Sequence, residues 1–287
     1  MIKDRNGSII PENANQNRIL HLLYDTKSGR FLLKILTRPA LSRIAGKFMD
    51  SPLSVPLIRP FIRRNNIDMS QFRNEKYHSF NSFFTRKIRP ECRPVNISPD
   101  CFISPCDSKL TVYPIIGRKS IFRIKDSCYR IADLIGDKKL AEMYSGGYCL
   151  IFRLGVDDYH RYCFPDTGTQ TGNLFIKGEL HTVNPITIGK YNIYRRNSRE
   201  RAVLHTDNFG DIIQVEVGAM LVGRICNNHV EKFRRGDEKG KFEYGGSTIV
   251  VLVKKEQIRI DRDILENSAE GIETVVKYGE HIAVKIK

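Results

Sequence analysis

From about residue 100 onward the chain is a succession of short β-type runs, and this pattern restricts the possible folds more than any other feature. The runs include Cys101-Phe-Ile, Leu110-Thr-Val-Tyr, Tyr148-Cys-Leu-Ile-Phe-Arg-Leu154, Asp211-Ile-Ile-Gln-Val-Glu-Val217, Met220-Leu-Val and Ser247-Thr-Ile-Val-Val-Leu-Val253. Turn signals rich in Gly, Pro, Asn and Asp separate them. Asp166-Thr167-Gly168 reads as a hairpin or a longer antiparallel return, and one helical stretch, Ile131 to Tyr144, interrupts the strands. No βαβ alternation and no repeat is visible. Residues 15 to 95 have another texture, that of short helices punctuated by Pro39, Pro52, Pro56 and Pro60. The expected class is therefore α+β: a helical, basic N-terminal region over 1–95, then a mainly antiparallel β-rich catalytic body over 96–287.

Charge distinguishes the two parts. The chain carries 47 Lys+Arg against 32 Asp+Glu, a net +15, and its first hundred residues hold 18 of the basic and 8 of the acidic side chains. In this front, basic residues alternate with bulky apolar ones: Leu22-Leu23, Phe31 to Leu36, Ile44, Phe48-Met49, Leu57-Ile58 and Phe61-Ile62. Such a basic amphipathic region suits an anionic membrane surface; the plainer alternative is a helical cap packed on its own core. No signature of RNA or DNA binding is present. No run approaches the ~18 apolar residues of a spanning helix; Phe31 to Pro39 is broken by Lys34, Arg38 and Pro39, and the first sixteen residues lack the apolar centre of a secretory signal. The expected location is peripheral, on the cytoplasmic face of the cell membrane. The seven cysteines form no CxxC pair and no cluster with histidines, so reduced, mostly buried thiols are expected, with neither a disulfide framework nor a metal site.

Three segments carry polar groups suited to chemistry. Phe242-Glu-Tyr-Gly245-Gly246-Ser247-Thr248 sets two glycines and two hydroxyls at the mouth of an apolar strand. Taken alone it is a tight turn into a buried edge strand. It lacks the second glycine of a nucleophile elbow and the lysine of a phosphate loop. Val156-Asp-Asp-Tyr-His160-Arg161-Tyr-Cys163 supplies an imidazole, and Ser104-Pro-Cys-Asp107 a carboxylate. Each has an ordinary structural reading, but together they provide a nucleophile, a base and an orienting group.

The order and spelling of these segments resemble the phosphatidylserine decarboxylases. The similarity runs from about residue 77 through Phe80-Asn-Ser-Phe-Phe-Thr-Arg-Lys-Ile-Arg89, Ser104-Pro-Cys-Asp107, Gly147-Tyr-Cys-Leu-Ile-Phe-Arg-Leu154, Asp158-Tyr-His-Arg161, Thr182-Val-Asn-Pro185 and Gly236-Asp-Glu-Lys-Gly240 to Gly245-Gly-Ser-Thr248. The last is the most specific, because it matches the family's processing site. The resemblance implies that Ser247 attacks the Gly246 carbonyl, that the chain divides between 246 and 247, and that a covalent pyruvoyl group forms from Ser247. Gly245 and Thr248 would support the oxyanion. Asp107 matches the aspartate of the processing triad, and His160 the histidine of decarboxylation. Arg161 is a candidate for substrate binding, resting only on its place beside His160.

The implied partners are phosphatidylserine, an anionic membrane surface, and the chain's own large and small fragments as a heterodimer or higher oligomer. Relatives carry a second histidine three places after the first, where this chain has Cys163. Two substitutes are expected as alternatives: His160 serving in both stages, or His181 reaching in from Glu179-Leu-His-Thr-Val-Asn on a neighbouring antiparallel strand. A silent lipid-binding relative and a soluble pyruvoyl amino-acid decarboxylase remain as alternatives.

Overall fold

A computed structural model of the chain describes residues 1–11, 26, 39–117, 120–124, 127–178, 197–218, 224–245 and 247–286. Its centre is an eleven-stranded sheet. Arg199–Thr206, Gly210–Val217, Ser247–Val253, Tyr148–Leu154, Ser108–Pro114 and Glu273–Val276 lie side by side in that order, all antiparallel. The α+β class expected from the run pattern is thus present. The chain's start joins the body: Ile2–Lys3 pairs in parallel with Glu273 and Thr274, and Arg5 forms ion pairs with Asp261 and Asp263.

The strand Ser247–Val253 lies inside this sheet, whereas its sequence alone reads as an edge. It pairs along its whole length with Tyr148–Leu154 on one side and over Thr248–Leu252 with Gly210–Val217 on the other. Successive side chains leave a strand on opposite faces. Ile249, Val251 and Val253 enter a core with Phe152, Leu154, Phe164 and Ile212. Val250 and Leu252 enter another, with Ile151, Ile213, Phe122 and Leu134. Burial on both faces explains an unbroken apolar run in an antiparallel strand, where one wet face gives alternation. Each such aliphatic side chain contributes about 1.5–3 kcal/mol by leaving water.

The expected helix over Ile131–Tyr144 is two short ones, Ile131–Ile135 and Lys138–Glu142. Gly136 ends the first in the left-handed region at φ 71°, and the Asp137 carboxylate caps the second by accepting from the Leu140 N–H. Asp166-Thr167-Gly168 is not a hairpin, because its flanking strands join different sheets. Instead the buried Asp166 carboxylate accepts from Asn208 and Arg235. All seven cysteines are free, and Cys128 is the exposed one among them.

The front folds as Pro39–Asp50, a 3-10 segment Pro52–Leu57, and the helices Ile58–Arg64 and Phe80–Phe84. Among the described residues no helix is long and apolar enough to cross a membrane. Residues 12–38, apart from Thr26, lie outside the described residues, and with them the front's Leu22-Leu23 and Phe31 to Leu36 runs.

A buried polar network joins the three-stranded sheet of Ile225–Asn227, Glu238–Phe242 and Arg161–Cys163 to the central one. The Lys239 ammonium, fully buried, donates to Glu216 Oε1 at 2.8 Å, Asn227 Oδ1 at 3.0 Å and Asn173 Oδ1 at 3.1 Å. Tyr162 Oη donates to the same Asn227 oxygen. Removing one partner of such a pair strands the other charge without water. Lys239→Met is therefore expected to lower stability by about 3–5 kcal/mol in denaturant unfolding. Adding Glu216→Leu is expected to recover most of that loss.

Candidate functional site

Ser247 is the first residue of the central strand and sits opposite Leu154. It is 2% exposed, and its hydroxyl has no hydrogen-bond partner among the described residues. A buried, unmet hydroxyl is costly in a dry environment, so the fold keeps this oxygen available at the expense of stability. Gly245, two residues earlier, has φ 132°, in the region that only glycine enters readily. The approach to Ser247 is held from two sides. The Phe242 N–H donates to the His160 carbonyl at 2.9 Å. The Tyr244 N–H donates to Asn81 Oδ1 at 2.9 Å, and Asn81 in turn donates to Asp50 Oδ1 at 2.8 Å. Tyr244 also packs edge-on against Phe61, Phe80 and Phe84, with centroids 4.9–6.4 Å apart. The helical front thus grips the segment that leads to Ser247.

The segment 154–160 runs beside 242–247, with Leu154 opposite Ser247 at one end and His160 bonded to Phe242 at the other. His160 is fully buried, its ring 4.0 Å from that of Phe84. Nδ1 lies 2.8 Å from the Asp158 carbonyl. A carbonyl only accepts, so Nδ1 carries the proton and Nε2 keeps its lone pair. Nε2 has no partner. Burial, only partly offset by Asp158, pushes this imidazole down to about 3. Asp158 is itself held ionised by Lys109, whose Nζ lies 2.6 Å from Oδ2, and by the Gly155 N–H. Lys109 and Asp158 are thus site residues that the sequence reading did not single out. Asp158 falls inside a quoted motif, but its spacing alone does not reveal its role.

Asp107 is 2% exposed and saturated with donors. Arg93 approaches through Nε at 2.8 Å and Nη2 at 2.6 Å, and the Tyr278 N–H donates at 2.8 Å. Cys163 lies close by in the fold. Its N–H donates to the Pro105 carbonyl and its thiol faces the Ser104 carbonyl at 3.9 Å. Burial pushes that thiol up to about 12, which makes it a poor base near neutrality.

Arg161 spends its guanidinium within the fold, on both Glu238 oxygens and the Thr85 carbonyl. That leaves it poorly placed for the substrate contact expected of it. Thr248 follows Ser247 in the strand, so its hydroxyl leaves on the opposite face, beside Arg153 and Val217. This orientation does not favour the hydroxyl as an oxyanion donor to Ser247 chemistry. Gly246 and His181 lie outside the described residues.

Comparison with known proteins agrees with these motifs. The family profile described as phosphatidylserine decarboxylase matches residues 80–284. A protein of Clostridium acetobutylicum named phosphatidylserine decarboxylase proenzyme 2 is 48% identical over 272 residues, covering 94% of this chain and 93% of that protein. Phosphatidylserine decarboxylase proenzymes of Ruminiclostridium cellulolyticum and Clostridium perfringens are each 40% identical, over 277 residues (94% and 92%) and 268 residues (91% and 91%).

The geometry at His160 makes a direct spectroscopic prediction. In Ser247→Ala protein, the ring nitrogens of His160 followed by NMR are expected to show a neutral, Nδ1-protonated imidazole from pH 8 down to 5. Charging of this ring near 6.5 would mean that the pocket is wet.

Proposed function

The chain belongs to the phosphatidylserine decarboxylase family, and on that footing we propose that it cuts itself before Ser247 and uses the residue so altered to decarboxylate phosphatidylserine. Its reaction class is carboxy-lyase, with phosphatidylethanolamine and carbon dioxide as products. The observation that carries the self-cleavage is the Ser247 hydroxyl, buried, unpartnered and next to a strained approach at Gly245.

In the first step Ser247 Oγ adds to the Gly246 carbonyl carbon, and the hydroxyl proton moves by way of a base to the departing Ser247 nitrogen. The amide becomes an ester. Loss of the α-proton of residue 247 then expels the Gly246 carboxylate and leaves a dehydroalanine. Water enters, ammonia leaves, and a pyruvoyl group caps the small chain 247–287. His160 suits proton transfer because Nε2 keeps its lone pair. Its low basicity means that the proton is held only in passing. His181 is the second imidazole in this reading, since the Cys163 thiol is too weak an acid to supply thiolate.

The orphaned Ser247 oxygen fits a pyruvoyl precursor. Once formed, the group supplies a carbonyl that condenses with the serine amine and withdraws the electron pair left by departing carbon dioxide. Around it, Phe84 and Tyr244 exclude water, which raises the energy of the carboxylate before it leaves. His160 Nε2 would take up the proton that the substrate ammonium releases on condensation and pass it to the α-carbon. The two fragments remain together because Ser247–Val253 is laddered on both sides to strands of the large chain.

The substrate is lipid, and the front carries the means to meet it. Ile44, Phe48, Leu53 and Leu57 are 66%, 44%, 77% and 42% exposed. Ile44 and Phe48 are one turn apart on Pro39–Asp50. Lys47, Arg59, Arg63 and Arg64 are exposed among them. Apolar side chains ringed by cations suit the headgroup layer of an anionic membrane, on its cytoplasmic face in this reading. The same front touches Tyr244 through Phe61, so docking sets lipid beside the reacting segment.

Two measurements test these readings. Intact mass is expected to show two chains, the smaller beginning at residue 247 and blocked by a carbonyl that borohydride reduces, while Ser247→Ala stays whole. A wild-type protein that remains one chain would instead be a silent lipid-binding relative. In flotation with phosphatidylserine vesicles, Phe48→Glu and Leu53→Glu are each expected to weaken binding about tenfold or more, with a further loss in high salt. Unchanged binding would assign the front to packing alone.

A further inference from the structure

Arg86 is 1% exposed, yet its Nε and Nη2 have no hydrogen-bond partner among the described residues. Among the described residues its one hydrogen bond is a long one, from Nη1 to the Phe83 carbonyl at 3.4 Å. The guanidinium lies on the rings of Phe72, at 4.1 Å, and Phe83, at 4.7 Å, so it is held in plane rather than free to reach water. Nε and Nη2 form one edge of the guanidinium, the fork that takes two oxygens of a single anion. The same edge is filled in Arg93 by Asp107, in Arg153 by Glu273 and in Arg5 by Asp263. At Arg86 it is empty and dry.

Two further features point to a ligand. Tyr77 Oη, within the electrostatic reach of Arg86, is also buried without a partner. A cavity of about 340 Å³ adjoins through Phe72 and Tyr77 and is lined also by Arg73, Arg89 and Glu75. The Arg86 charge is felt at His160 as well, through the wall where Phe84 meets that imidazole.

We propose that the Nε–Nη2 edge of Arg86, with Tyr77 Oη beside it, binds the phosphodiester of the lipid headgroup. The proposal rests on the decarboxylase reading above. It identifies the phosphodiester rather than the serine carboxylate for an energetic reason. A fixed cation against the carboxylate would stabilise the very charge that the reaction must discharge, and would slow it. The phosphodiester keeps its charge from substrate to product, so holding it costs the chemical step nothing. Burial lowers the guanidinium only to about 10, which leaves it charged at neutral pH.

The test uses cleaved protein, whose two chains report a folded body, with soluble headgroup probes. Glycerophosphoethanolamine carries the phosphodiester and no carboxylate; ethanolamine carries neither. In calorimetric titration the wild type is expected to bind the first at least tenfold more tightly than the second. Arg86→Gln is expected to lose that advantage, with Arg86→Lys in between, and KM for phosphatidylserine to rise about tenfold to a hundredfold with a much smaller change in kcat. Equal wild-type affinity for both probes overturns the proposal even if no variant folds. So does an Arg86→Gln protein that keeps its preference. A loss in kcat for phosphatidylserine with the probe preference intact would assign Arg86 to the carboxylate instead. Wild-type protein that binds the phosphodiester but decarboxylates nothing would overturn the earlier reading and leave this one standing.

Discussion

The double burial of the strand Ser247–Val253 is the constraint on which the rest of the structure depends. A strand packed on both faces and laddered on both edges cannot shift without disturbing two cores. Its first residue inherits that rigidity. A serine on a loop would meet water and spend its hydroxyl there, whereas Ser247 is dry, fixed and unpartnered. The glycine at 245 takes up the backbone turn that such fixity demands.

The same constraint explains why a basic helical front is attached to a β body. The strand fixes one end of the 242–247 segment, but the residues before it need a second anchor. Asn81 supplies it through the Tyr244 N–H, and the Phe61, Phe80 and Phe84 rings close around the Tyr244 side chain. These edge-to-face pairs are worth about 0.5–1.5 kcal/mol each beyond their burial. The surface suited to lipid and the site suited to chemistry therefore share one aromatic cluster. Ser247, His160, Arg86 and Tyr77 each keep a buried polar atom without a partner among the described residues, and such atoms are costly to bury unless a ligand or a reaction meets them.

Much of this is legible in the chain. The antiparallel body follows from short β-branched runs, and Gly245-Gly246-Ser247-Thr248, an ordinary turn into a strand when taken alone, is picked out by its match to the family's processing site. Other features are invisible to periodicity. The strand after Ser247 reads as an edge, since an apolar run does not say whether its second neighbour is water or another strand. Arg161 draws notice through its place beside His160, but Glu238, 77 positions away in sequence, occupies it. Arg86 lies in a quoted motif and attracts none, because a vacant donor is defined by what surrounds it.

The sequence by itself determined the class of fold, the basic and apolar character of the front, and the motif that makes Ser247 the candidate nucleophile, because composition, periodicity and short motifs are local properties. Only the tertiary structure decided which charges are spent and which are left open. The pairing of Asp107 and Arg161, and the open Nε–Nη2 edge of Arg86 and Nε2 of His160 among the described residues, depend on groups far apart in the chain, and burial is what turns an unmet hydrogen bond from a trivial matter into a costly one.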